Sequence, residues 1–246
     1  MGPSAIAAFA LPCRPTESPT GPGIVGARVV NVARAVFAPL LAAALLLQVL
    51  APWAWDRDRM LAAAQAHNPQ AVLGVQALHA VIGTAQGLPE LAQLQAVNRF
   101  FNERIAFAED IDTTGQIDDW ASPVELLARG AGDCEDYSIA KYFSLISAGV
   151  PSAKLRLVYV RADQAGVVRA HMVLAYYADA GAEPLVLDNL RADIQPASAR
   201  RDLKAVFSFN AEGLWNGTGD SSAGDPLARL SRWREVLAKA RAEGFV

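Results

Sequence analysis

At Pro151 the spacing of apolar residues changes from three-and-four to two, and this restricts the chain to folds that join a helical part to an antiparallel sheet. Before the switch, Leu91, Leu94, Val97, Phe101 and Ile105 recur on one helix face, and Ile139, Phe143 and Ile146 do so further on. Asp56 is placed to cap a helix that runs to Gln65 and closes before Asn68-Pro69. Residues 83–89 read as a loop, and residues 108–119 as an acidic loop. Ser122-Pro123-Val124-Glu125 joins a cap, a first-position proline and a glutamate three residues after the cap, and Gly130 ends that short helix. Asp133 is read as the cap of the next helix, which runs from Cys134 to Ala148 and is closed by Gly149 and Pro151. Beyond it, 155–161, 168–177 and 185–188 are strands joined by turns at 163–166 and 179–181, and 207–214 adds another. Residues 226–243 form a last helix with Leu227, Leu230, Val236 and Leu237 inward. The class is α+β, with no repeat and no second domain boundary in this part.

The 246 residues are 52% hydrophobic, enough for one packed domain, and the net charge of -3 with no basic run gives no footprint for nucleic acid. Arg28 and Arg34 precede a nearly uncharged apolar run over residues 35–50, broken by Pro39 and Gln48. That pattern is an export signal or membrane anchor, the alternative being a buried core helix. On the export reading, residues 1–55 are a leader with possible membrane attachment through 35–51. Residues 56–246 are then a domain outside the cytoplasm. Cys13 lies ahead of the run, so Cys134 is the lone thiol of the folded part, and a disulfide framework is excluded.

Cys134 follows Gly130-Ala131-Gly132-Asp133 at a helix N-terminus. Free N–H groups and the helix dipole there favour a thiolate and can hold an oxyanion, whereas a structural cysteine is the plainer alternative. His171 and Asp188 are equidistant from a turn centred between Asp179 and Ala180, so a hairpin folding there sets them directly opposite, close enough for a carboxylate to hold an imidazole in one tautomer. Thiol, imidazole and carboxylate form an activated nucleophile for acyl transfer. Zinc held by the same three residues is a rival, but zinc sites show paired ligands at short spacing and none occurs here. His67 and His79 are read as surface residues. Asp133, Glu135 and Asp136 crowd the cysteine with charge that opposes a thiolate. They are either a solvated helix start or ligands for a hard cation such as calcium.

The run from Gly130 to Tyr142 resembles the nucleophile motif of the bacterial transglutaminase-like cysteine proteinases, the LapG type. The likeness continues through 155–160, His171-Met172-Val173-Leu174, 186–190, Phe209-Asn210 and Gly213-Leu214-Trp215. It implies a papain/transglutaminase-like fold and a periplasmic, calcium-dependent endopeptidase. Such an enzyme cuts a large surface adhesin near its N-terminus at an Ala-Ala site, and so controls biofilm release. It implies restraint by an inner-membrane cyclic-di-GMP receptor of the LapD type. By position, Cys134, His171 and Asp188 become catalytic, Asp133, Glu135 and Asp136 calcium ligands, and Trp120 a wall of the site. A transglutaminase or other acyltransferase with the same triad, and an exported non-catalytic binding module, are the alternatives.

Overall fold

The computed structural model describes residues 55–245, so the leader and the apolar run at 35–50 lie outside the described residues. Helix α1 (Arg57–His67) begins at Asp56, whose carboxylate accepts the Arg59 N–H at 3.0 Å. Helix α2 (Pro69–Ala85) follows at once, capped by Asn68 accepting the Ala71 N–H at 2.8 Å. Asn68-Pro69, read as a stop, is therefore also a start, and Gly83 lies inside α2 and not in a loop. Helix α3 (Glu90–Arg104) buries Leu94, Val97 and Phe101, but Leu91 is 50% exposed and faces away from the core. A short strand β1 (Ala106–Phe107) and a single turn α4 (Asp110–Thr113) interrupt the acidic stretch. Helix α5 (Pro123–Arg129) carries the expected reciprocal cap between Ser122 and Glu125, and Gly130 closes it in left-handed backbone, φ 70°. Strand β2 (Ala131–Gly132) pairs in parallel with β1 and delivers the chain to helix α6 (Cys134–Ala148).

Helix α6 is the buried centre of the molecule, with α2, α3 and α5 around it and the sheet against its other side. The sheet order is β6-β5-β4-β3-β7-β8-β9, antiparallel throughout. The members are β3 (Leu155–Gln164), β4 (Val167–Tyr176), β5 (Leu185–Leu187), β6 (Gln195–Pro196), β7 (Leu203–Phe209), β8 (Leu214–Asn216) and β9 (Ser222–Gly224). The β4–β5 register pairs Leu174 with Leu187 and Tyr176 with Leu185. The connection is thus centred one residue beyond the expected turn, and the expected pairing slips by two. A slip of two keeps every side chain on its face, so His171 and Asp188 stay on one side of the sheet as diagonal neighbours rather than opposed ones.

The C-terminal helix is two: α7 (Pro226–Arg229) and α8 (Ser231–Glu243), broken at Leu230, whose backbone is extended. Val236 and Leu237 are buried as expected, but the anchor is Trp233, fully buried. Its ring stacks on Phe143 at 5.7 Å and meets Tyr142 and Phe209 edge-on, and its Nε1–H donates to the Asn210 carbonyl at 3.1 Å. Such aromatic pairs each add about 0.5–1.5 kcal/mol beyond area burial. The last segment therefore closes the core against α6. Among the described residues no helix is long and apolar enough to cross a membrane.

Candidate active site

The loop before Cys134 is built for close approach. A Cβ on Gly132 would lie 2.5 Å from Asp136 Oδ2 and 2.6 Å from Leu126 Cδ1, so only glycine fits. Cys134 then opens α6, partly buried, in a cleft shared with Trp120, Tyr159, His171 and Met172. Its thiol donates to Glu135 Oε2 at 3.0 Å. Burial, then the charges of Glu135 and Asp133, push the thiol pKa far above its ordinary value, while the Met172 backbone N–H aimed at the sulfur acts in the opposite direction. The Ser138 hydroxyl lies 2.8 Å from the Cys134 carbonyl and 3.1 Å from that of Met172, and so ties the first turn of α6 to β4 just beyond His171.

His171 and Asp188 meet despite the shifted register. His171 Nε2 lies 2.8 Å from Asp188 Oδ1, with both residues buried. Oδ1 also accepts the Leu190 N–H at 3.0 Å, and Oδ2 accepts from Arg200 Nη2 at 2.7 Å. Burial by itself raises the Asp188 carboxyl, but its bonds to His171, Leu190 and Arg200 outweigh that and hold it well below the usual carboxylate range. A carboxylate bound at Nε2 keeps the proton on that nitrogen and leaves Nδ1 of the neutral ring as the acceptor.

The acidic residues divide differently from the sequence reading. Carboxylate oxygens of Asp110, Asp133 and Glu135 lie within 4.8 Å of one another. Asp133 makes no capping hydrogen bond, and its Oδ1, like that of Asp110, is buried without a partner. Burial and then the Glu135 and Asp136 charges push Asp133 up to about 9, and burial also raises Asp110. Asp136 lies outside this group. Fully buried, it turns to the Ala121 N–H, which its Oδ1 accepts at 2.7 Å, and burial pushes it up to about 7. Asp110, read only as part of an acidic loop, joins Asp133 and Glu135 in this group. Three converging carboxylates, two of them with a buried oxygen that has no partner, fit a hard, oxygen-seeking dication, and calcium in particular.

Trp120 forms one wall of the cleft, stacked on Phe209 at 5.9 Å with its Nε1–H donating to Asp118 at 2.8 Å. Tyr159 also lines the cleft, stacked on Phe207 at 5.1 Å. His67 is exposed as expected, whereas His79 is half-buried with Trp55 edge-on at 5.3 Å, and burial lowers its pKa.

A buried helix that presents a cysteine beside an antiparallel sheet carrying a histidine–carboxylate pair defines a papain/transglutaminase-like protein. Residues 77–203 match the family of bacterial transglutaminase-like cysteine proteinases, BTLCP. The structure is similar to that of EGTA-treated Legionella pneumophila LapG, with 39% identity, a TM-score of 0.67, and coverage of 75% of this chain and 97% of that one. It is similar also to the calcium-bound form of the same protein, with 38% identity, a TM-score of 0.65, and coverage of 75% and 98%. No curated protein matches. The chain belongs to the bacterial transglutaminase-like cysteine proteinases.

Proposed function

We propose that the protein is a calcium-dependent cysteine endopeptidase with Cys134 as nucleophile, His171 as base and Asp188 as the residue that orients the base. The observation that carries this reading is the buried 2.8 Å contact of His171 Nε2 with Asp188 in the cleft that holds Cys134. His171 Nδ1 takes the thiol proton, and the sulfur attacks the peptide carbonyl carbon. The Cys134 backbone N–H, free at the helix start, supports the oxyanion. The C–N bond breaks as the imidazolium returns its proton to the leaving amine. Water then gives a proton to His171 and opens the thioester, releasing the acid and restoring the thiol. Asp188 stabilises the imidazolium without taking its proton.

Asp110, Asp133 and Glu135 would hold the calcium ion, whose charge offsets the carboxylates around the thiol. A calcium-bound relative of 38% identity supports this assignment, and the unpartnered oxygens of Asp110 and Asp133 supply the local reason. Asp136 gives Oδ1 to the Ala121 N–H, and its Oδ2, also buried without a partner, lies outside the converging group. On this reading residues 1–55 carry the export signal or membrane anchor and 56–246 the peptidase, which works in the periplasm, exported or anchored to the inner membrane. The family likeness supports a large surface adhesin as substrate, cut at an Ala-Ala site to release a biofilm. It also supports restraint by a cyclic-di-GMP receptor in the inner membrane. Incubation of the protein with adhesin fragments in calcium, with Cys134→Ala as control and mass mapping of products, tests the reading. Cleavage by the wild type alone is expected. Amine incorporation without cleavage would mark an acyltransferase, and no Cys134-dependent product would end the reading.

A further inference from the structure

We propose that Arg200 is the positioning residue of the active site, fixing through Asp188 which nitrogen of His171 faces the cleft. This rests on the triad reading above. A carboxylate that orients an imidazole does so only if it cannot turn. Asp188 Oδ1 is occupied by His171 Nε2 and the Leu190 N–H, and a swing of the carboxyl about its Cβ–Cγ bond, short of a half-turn, would break both bonds. Arg200 Nη2 holds Oδ2 at 2.7 Å and blocks that swing. The guanidinium is itself fixed, since Nε and Nη2 grip the two oxygens of Asp202 at 3.0 and 2.8 Å. Arg200 is 3% exposed and Asp188 1% exposed, so water cannot take over either bond.

The segment that carries Arg200 links β6 to β7. It leaves the sheet at β6, makes a short turn over 197–199 and returns as β7, with the Leu203 N–H bonded to the Arg200 carbonyl. Lys141 of α6 also interacts with Asp188, at a distance and without a hydrogen bond. It is fully buried, its ammonium nitrogen has no hydrogen-bond partner, and burial brings its pKa down to about 7. Lys141 therefore makes no directed bond to Asp188, and the direction comes from Arg200. A planar fork is needed to join two carboxylates in one plane, which a lysine does not supply.

The test uses nitrogen-15 NMR of the imidazole rings, tractable because the chain has three histidines. In the wild type, neutral His171 is expected to carry its proton on Nε2 alone. In Arg200→Gln the Nδ1–H tautomer is expected to appear. Alkylation of Cys134 by iodoacetamide in calcium at one fixed pH is expected to slow by about ten- to a hundredfold, the loss of one hydrogen bond to a charged group. Arg200→Lys should show the same mixture of tautomers, because it keeps charge and loses the fork. If Arg200→Gln does not fold, Asp202→Asn replaces it. That change loosens the guanidinium from a partly exposed site and should shift the tautomer in the same direction by less. A single Nε2–H tautomer in every folded variant, with alkylation at the wild-type rate, would overturn the proposal. Asp188→Asn separates this from failure of the triad. If Asp188→Asn also leaves the tautomer and the alkylation rate unchanged, the triad reading falls. If it changes both while the Arg200 variants do not, only Arg200 loses its role.

Discussion

The two walls of the cleft are built on opposite electrostatic plans. On the sheet side, His171, Asp188, Arg200 and Asp202 form a chain in which positive and negative groups alternate and each carboxylate oxygen of Asp188 is bonded. On the helix side, Asp110, Asp133 and Glu135 converge with no basic partner among them, and two buried oxygens are unbonded. The first arrangement is complete in the polypeptide alone. The second lowers its own free energy only by taking up protons or a cation, and its charges add to burial in raising the pKa of the thiol it surrounds. On the proposed roles, orientation of the base is therefore a property of the fold, while activation of the nucleophile is conditional.

Removing one group from each wall is the sharpest way to break this contrast. Cys134→Ala should abolish cleavage and leave the thermal transition near that of the wild type, checked by product mapping and circular dichroism. Asp188→Asn should lose about four orders of magnitude in kcat while its fold survives, because the amide no longer holds the tautomer or supports the imidazolium. Comparable loss with a much larger fall in substrate binding would assign Asp188 to structure instead.

The helix side was the harder one to read from sequence. The residues around Cys134 gave clear local signals: a capping box at Ser122 and Glu125, a left-handed glycine at 130, and a helix to Gly149. Local signals cannot say which way a side chain turns. Glu135 and Asp136 are successive helix residues and so point about 100° apart, so one joins the cluster and the other goes to Ala121. Asp110 is brought in by the β1–β2 pairing, a contact with no trace in the spacing of residues. On the sheet side, periodicity gave the right face but not the register, because turn length is not encoded in alternation. Arg200 lies twelve residues from its partner Asp188 and beyond the last strand that the alternation identified before it. Helix α2 was missed because its start, Asn68-Pro69, coincides with the end of α1. The core anchor Trp233 was missed because the helical repeat was laid through Leu230, where the helix breaks.

Calcium sharpens the contrast next. Asp110→Asn and Glu135→Gln should each weaken calcium binding by about tenfold or more in calorimetry, in keeping with removal of one charged bond. Asp136→Asn should lower stability with and without calcium and leave the affinity within a few-fold of wild type. If Asp136→Asn weakens calcium most, the division of the acidic residues made here is wrong. Calcium should raise the melting temperature of the wild type, by about 2.7 kcal/mol of stability at a hundredfold excess over Kd. Binding should also release protons and weaken as pH falls, because Asp133, held at about 9 without metal, must ionise to bind.

A smaller effect tests burial of charge away from both walls. Glu243 accepts hydrogen bonds from the Ser122 hydroxyl and the Val124 N–H, and burial holds it up at about 7. A folded-state value above the ordinary 4.5 means the neutral carboxyl stabilises the fold. That contribution is full below about pH 4.5 and is lost as pH rises through 7. It amounts to no more than about 3 kcal/mol. Glu243→Gln should flatten the fall in melting temperature between pH 5 and 8, and an unchanged slope would show that another group carries it.

The most direct measurement is the rate of iodoacetamide alkylation at Cys134, with and without calcium, followed by peptide mapping that separates Cys134 from Cys13, while the tautomer of His171 is read in the same samples. Calcium is expected to speed alkylation at least about tenfold, as relief of a pKa raised by one or more units requires, with His171 held in the Nε2–H tautomer in both conditions. Equal alkylation rates in chelator and in calcium, or a tautomer that changes when calcium is added, would contradict a preformed base beside a nucleophile that waits for its metal.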